Sequence, residues 1–120
     1  MKARILIVED EPVLALGLRR FLVAYGFEVA GCVSSVKAAL PIIDEVDCDI
    51  AVLDVNLRGE SVIPVAEILR QRSCPLVFMS GYGRSDLPAT FADVPLLPKP
   101  FDANELVAVL REILAGRDVA

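Results

Sequence analysis

The chain has no histidine and no tryptophan. Without histidine it cannot build a Ser/His or Cys/His nucleophile or an imidazole metal centre, and it cannot itself carry phosphohistidine. Cysteine is sparse: Cys32, Cys48 and Cys74 are odd in number and widely spaced, which argues against a disulfide framework and a zinc site. They read as small buried hydrophobes in a reducing compartment. Long apolar runs are missing too. Ile5-Leu6-Ile7-Val8 falls far short of the roughly 20 residues that span a bilayer and of the roughly 7–15 in a signal peptide. A cytoplasmic location with no membrane partner is expected. Basic residues are outnumbered 12 to 17, for a net charge of −5, so a nucleic-acid surface is not expected.

What is present fits one folded domain over residues 1–120: the hydrophobic share is 55%, too high for a disordered tail. Short apolar runs alternate with helical periodicity. Strands are predicted at 5–8, 27–33, 50–53, 76–79 and 94–97. Helices are predicted at 13–25, 35–46, 62–72 and 102–116. Gly26 stops the first helix. Pro41 should cost the second a hydrogen bond and force a kink or a late start, whereas Pro64 is harmless in the first turn of the third. Asp102 and Glu105 predict a capping box for the last. The segment 81–93 holds Gly81, Gly83 and Pro88, so any helix there is short.

The alternation predicts an α/β fold with a parallel sheet covered on both faces. Right-handed crossovers favour a flavodoxin-like (βα)5 sandwich in strand order 2-1-3-4-5, with its site at the carboxyl ends of strands near the switch point. The residues that follow the strands there are Glu9 and Asp10, then Asp54, Ser80 and Lys99. Each alone has a plain explanation: helix capping by the acids, a loop acid, a turn serine. Together at four adjacent strand ends they point to chemistry. Three carboxylates repel by about 3–4 kcal/mol per pair at 4–5 Å and an effective dielectric near 20. A hard divalent cation such as Mg²⁺ offsets that. A carboxylate beside such a cation can attack phosphorus and form an acyl phosphate, with Lys99 and the Ser80 hydroxyl on the phosphoryl oxygens.

The motifs Ile7-Val8-Glu9-Asp10-Glu11-Pro12, Leu53-Asp54-Val55-Asn56-Leu57, Ser80-Gly81 and Lys99-Pro100-Phe101 resemble those of response-regulator receiver domains, along the whole chain. The resemblance implies that Asp54 is the phosphoacceptor. It implies Mg²⁺ on Glu9, Asp10, Asp54 and the Asn56 backbone carbonyl, phosphoryl contacts from Ser80 and Lys99, and a cis Lys99–Pro100 peptide. It implies a sensor histidine kinase or histidine phosphotransfer protein as partner, docked on Pro12, Val13, Leu14 and Leu18 and the Pro100-Phe101 turn, and an unidentified downstream protein target. The run Phe78-Met79-Ser80-Gly81-Tyr82 is similar to the Phe-Ala-Thr-Gly-Tyr loop of a mostly stand-alone alphaproteobacterial subgroup. Leu96 stands where most receivers carry a switching aromatic, which leaves Tyr82, between two glycines, as the switch candidate. Three other readings are weaker. An aspartyl-phosphate phosphatase would place its acid after the first strand. A nucleotide or flavin module would need a Gly-rich loop where Glu9-Asp10-Glu11 stands. A receiver that signals by binding alone would not need the full acceptor set.

Overall fold

The computed structural model describes residues 2–84 and 87–119. Its main sheet is built from β1 (Arg4–Val8), β2 (Glu28–Val33), β3 (Ile50–Asp54), β6 (Leu76–Ser80) and β7 (Leu96–Pro98). All are parallel, in the order β2-β1-β3-β6-β7. That is the expected 2-1-3-4-5 arrangement of the five main strands. The helices are α1 (Pro12–Ala24), α2 (Val36–Glu45), α3 (Ile63–Gln71) and α4 (Ala103–Val119).

The central strands carry no polar face because both faces are covered. Leu6, Val8, Ala51, Leu53 and Phe78 pack toward α2 and α3, where Ala39, Ile43, Val65 and Leu69 meet them. Alternate residues Ile5, Ile7, Ile50, Val52, Val77 and Met79 pack toward α1 and α4, against Leu18, Leu22, Leu106 and Leu110. The period-2 alternation of strand side chains thus feeds two cores from one run of sequence. Among the described residues no helix is long and apolar enough to cross a membrane.

Several local expectations are corrected. α2 does not start late: it begins at Val36 behind Ser35, whose hydroxyl accepts from the Ala38 amide at 3.1 Å, and it contains Pro41. Lys37 and Pro41 are both exposed, so the carbonyl that Pro41 leaves unbonded faces water. Asp102 caps α4, but its carboxylate accepts from the Asn104 amide at 2.9 Å, one residue earlier than a capping box requires. α4 continues past Gly116 to Val119. The last strand lies at Leu96–Pro98 instead of 94–97, because Val94 belongs to the core beneath the preceding turn.

In the segment 81–93 the described helix is one 3-10 turn, Ala89–Phe91; residues 85 and 86 lie outside the described residues. That turn is held from α3. Arg70 donates to both carboxylate oxygens of Asp93 at 2.7 and 2.6 Å, and its guanidinium lies 4.9 Å from the centre of the Phe91 ring. Phe91 in turn meets Phe78 edge-on, with ring centres 5.6 Å apart. A small hairpin, β4 (Asn56–Leu57) with β5 (Glu60–Ser61), was not foreseen. Arg58 and Gly59 form its two-residue loop with φ of 54° and 86°, the positive pair that such loops require.

Candidate functional site

The site forms where parallel strands end together. The Glu9 amide donates to the Val33 carbonyl at 3.0 Å, which carries strand pairing one residue past β1, and the Lys99 amide does the same to Ser80 at 2.8 Å. Both side chains are therefore aimed by sheet geometry before any of their own contacts form. Asp54 closes β3 and Ser80 closes β6. Among the described residues, the buried polar side chains are Glu9 (1% exposed), Asp54 (5%) and Ser80 (3%). All three sit at this one place, although burying a polar group is costly without a partner.

Each has partners. The Lys99 ammonium donates to Asp54 Oδ2 at 2.9 Å and to Glu9 Oε2 at 3.0 Å. Asp54 Oδ1 accepts from the Asn56 amide at 3.2 Å, and Glu9 Oε1 from the Glu11 amide at 3.0 Å. Ser80 Oγ accepts from the Tyr82 amide at 3.0 Å. Asp10 is paired with Arg58 Nε at 3.5 Å. The Lys99–Pro100 peptide is cis. Tyr82 is 72% exposed, on the rim of an open cavity of about 450 Å³ that Asp54, Ser80 and Lys99 also line. Leu96 is half-buried and packs against the α2/α3 core.

Carboxylate oxygens of Glu9, Asp10 and Asp54 all lie within 4.8 Å of one another. At that separation each ionised pair repels by about 3–4 kcal/mol at an effective dielectric near 20. Burial pushes the Glu9 carboxyl up to about 7, with the Asp54 charge adding to it; the Glu11 amide and Lys99 pull the other way. Burial works to lower Lys99, but its hydrogen bonds to Asp54 and Glu9 outweigh this and hold the ammonium above its ordinary value. The donors are three carboxylates, and their charge exceeds that of the half-buried Lys99 and the exposed Arg58 together. This set fits a hard divalent cation of the Mg²⁺ type.

A second cavity, about 650 Å³, lies between α1 and the turn into α4, lined by Val13, Leu14, Leu18, Phe21, Pro100 and Phe101. Val13 is 86% exposed there, whereas Leu18 is 4% exposed and belongs to the core. Of the residues expected on a docking face, Leu18 can offer at most the floor of this groove. The one participant not anticipated is Arg58. The signal was present in Asn56-Leu57-Arg58-Gly59: a glycine in a two-residue turn, cinched by the Gly59 amide donating to Asn56 Oδ1 at 2.6 Å.

Comparison with known proteins agrees with this geometry. The sequence profile of the response regulator receiver domain matches residues 5–111. The transcriptional activator protein IrlR of Burkholderia pseudomallei is 38% identical over 117 residues, which covers 92% of this chain and 50% of IrlR. The solution structure of SdrG from Sphingomonas melonis Fr1 superposes with a TM-score of 0.81 at 40% identity, covering 94% of this chain and 97% of SdrG. The response regulator PhyR from Brucella abortus superposes with a TM-score of 0.84 at 25% identity, covering 99% of this chain and 50% of PhyR. The chain thus spans about half the length of the transcriptional regulators it matches. With the parallel five-stranded sheet, the acidic cluster at its switch point and the match over residues 5–111, the chain belongs to the response-regulator receiver domains, signalling modules of two-component systems.

Proposed function

We propose that this chain is a single receiver domain over residues 1–120 that accepts a phosphoryl group from phosphohistidine onto Asp54. The observation that carries the reading is the Lys99 ammonium bridging Asp54 and Glu9 at 2.9 and 3.0 Å, with Asp10 beside them. An Asp54 carboxylate oxygen forms the new bond to phosphorus while the bond from phosphorus to the donor's imidazole nitrogen breaks, leaving that electron pair on the nitrogen. Phosphoryl transfer needs mainly positioning and charge neutralisation. Lys99 neutralises phosphoryl oxygens, and the Ser80 hydroxyl, which accepts from the Tyr82 amide through a lone pair, has its proton free to donate to another. Glu9, Asp10 and Asp54, with the Asn56 backbone carbonyl, would hold Mg²⁺, which supplies further neutralisation of phosphoryl charge when bound.

The phosphohistidine must lie outside these 120 residues, which contain no histidine. A sensor histidine kinase or a histidine phosphotransfer protein fits, docked over Pro12, Val13 and Leu14 and the Pro100-Phe101 turn, with a further protein as downstream target. The catalysis in this reading is limited to its own phosphorylation and dephosphorylation. The cytoplasm is the proposed compartment, in keeping with three cysteines too few and too widely spaced for a disulfide framework. The test is incubation with acetyl phosphate and Mg²⁺. One phosphoryl group per chain, labile to alkali and absent from Asp54→Asn, is expected. Equal labelling of that variant would reject Asp54 as acceptor.

A further inference from the structure

The end of the sheet away from the acidic cluster holds a feature the receiver chemistry does not use. Cys48 lies in the lead-in to β3 and Cys74 in the lead-in to β6. They are 26 positions apart in sequence, yet their sulfurs are 3.6 Å apart. The adjoining strands pair from Ala51 and Leu76 onward, and the Ala51 amide donates to the Pro75 carbonyl at 3.0 Å, so the two lead-ins are held side by side by the sheet itself. Both thiols are half-buried, and neither is in a disulfide.

We propose that Cys48 and Cys74 are a redox modification site, oxidised by a hydroperoxide to a reversible intramolecular disulfide, with Cys48 as the attacking thiol and Cys74 as the resolving one. The assignment of roles follows from the surroundings. The Cys74 thiol can donate to Cys48 Sγ, and it has carbonyl acceptors at Pro75 (3.6 Å) and Cys48 (3.9 Å). The hydrogen bond from Cys74 lowers the Cys48 thiol below its ordinary value, outweighing burial; Arg4 helps, and Asp49 and Asp47 oppose. Cys32 is the internal control, because burial pushes its thiol up. A thiolate-prone, accessible cysteine beside a resolving one is the arrangement that oxidation selects.

The step balances as follows. Cys48 Sγ, as thiolate, attacks one peroxide oxygen; the O–O bond breaks and hydroxide leaves, giving a sulfenic acid. Cys74 Sγ then attacks that sulfur, the S–O bond breaks and water departs. Two thiols and one hydrogen peroxide give one disulfide and two waters. The sulfurs must approach by roughly 1.5 Å to reach a bonded distance near 2.05 Å. Both residues lie in irregular backbone outside the strands, where side-chain rotation and small loop shifts can supply that movement.

The full chain is treated with hydrogen peroxide under native conditions, then alkylated and mapped by mass spectrometry, beside a Cys74→Ser variant. Wild type is expected to lose the mass of two hydrogens and to protect Cys48 and Cys74 but not Cys32 from alkylation. It should stay monomeric on a non-reducing gel and recover both thiols with dithiothreitol. Cross-linking a loop of this length should raise Tm by on the order of 10 °C. Cys74→Ser should trap Cys48 sulfenic acid as a dimedone adduct, about tenfold faster than any adduct at Cys32. If Cys74→Ser does not fold, the wild-type map alone decides. Oxidation of Cys48 to sulfinic acid without loss of Cys74, a disulfide-linked dimer, or a Cys32 as reactive as Cys48 would each overturn the proposal.

Discussion

Replacing Lys99 by methionine keeps a long side chain and removes the positive charge that bridges Asp54 and Glu9. The Lys99 side chain is 19% exposed, and those of Glu9 and Asp54 are 0% and 6% exposed, so water screens the site poorly. At about 3 Å and an effective dielectric near 20, each of its two attractions is worth about 5 kcal/mol before desolvation, and each carboxylate pair left behind repels by about 3–4 kcal/mol. The net loss is smaller because the lysine no longer has to be desolvated and because Glu9 can take up a proton. Removing one member of such a pair is expected to cost about 3 kcal/mol where all three acids are ionised.

The pH dependence follows from Glu9. Its folded-state value, about 7, lies above the ordinary 4.5, so the folded state holds the proton more tightly than the unfolded chain does. That contribution to stability is fully present below about pH 4.5 and is lost as the pH rises through about 7. Without Lys99, which lowers it, Glu9 should titrate higher still. In EDTA at about pH 8.5, Lys99→Met should melt roughly 10 °C below wild type, at about 4 °C per kcal/mol for a chain of this size. At about pH 5.5 the gap should shrink to a few degrees. Mg²⁺ should close part of the gap at the higher pH. Melting curves followed by circular dichroism measure all of these. A gap that does not change with pH, or a variant more stable than wild type at about pH 8.5, would refute the electrostatic account.

Mg²⁺ should raise the wild-type Tm and bind more tightly as the pH rises through about 7 and Glu9 gives up its proton; Asp10→Asn should weaken that binding by about tenfold or more, measured by titration calorimetry. In the apo protein the same substitution should leave stability unchanged or slightly raised, because the repulsion it relieves within the 4.8 Å cluster outweighs the exposed Arg58 pairing it loses. Phe91→Ala removes a buried ring set against Phe78 and beneath Arg70 and should cost about 3–5 kcal/mol in urea unfolding; a loss under about 1 kcal/mol would mean that the 3-10 turn is not anchored there. For Tyr82, fluorotyrosine NMR should show a new resonance position on adding Mg²⁺ and beryllofluoride, and Tyr82→Ala should alter the dephosphorylation rate. An unmoved signal with an unaltered rate would remove it as the switch.

Much of this protein was legible in one dimension because its fold is written in short-range patterns. Apolar runs such as Ile5-Leu6-Ile7-Val8 signal strands buried on both faces, and Leu14, Leu18, Leu22 and Leu106, Leu110, Ile113 signal helices laid on a sheet. The parallel topology follows from their alternation, and with it the collection of Glu9, Asp10, Asp54, Ser80 and Lys99 at one edge. Details at element ends were read less well. Pro41, inside α2, was tolerated because its turn is exposed, which depends on which side of the helix meets solvent, and Asp102 capped one residue earlier than the Asp102–Glu105 spacing suggested.

Contacts between residues far apart in the chain were decided by tertiary structure alone. Strand spacing puts residues ending adjacent strands within a few ångströms whatever their separation in sequence, but it does not state which charges will pair. That Lys99 would bond both Asp54 and Glu9, 45 and 90 residues away, depends on the depth of each carboxylate below the surface. That Arg58 would reach Asp10 depends on two positive φ angles in a hairpin loop. That two of three scattered cysteines would touch depends on the pairing of β3 with β6. Local pattern set the strands and helices; the close packing of the sheet set which side chains met at its two ends.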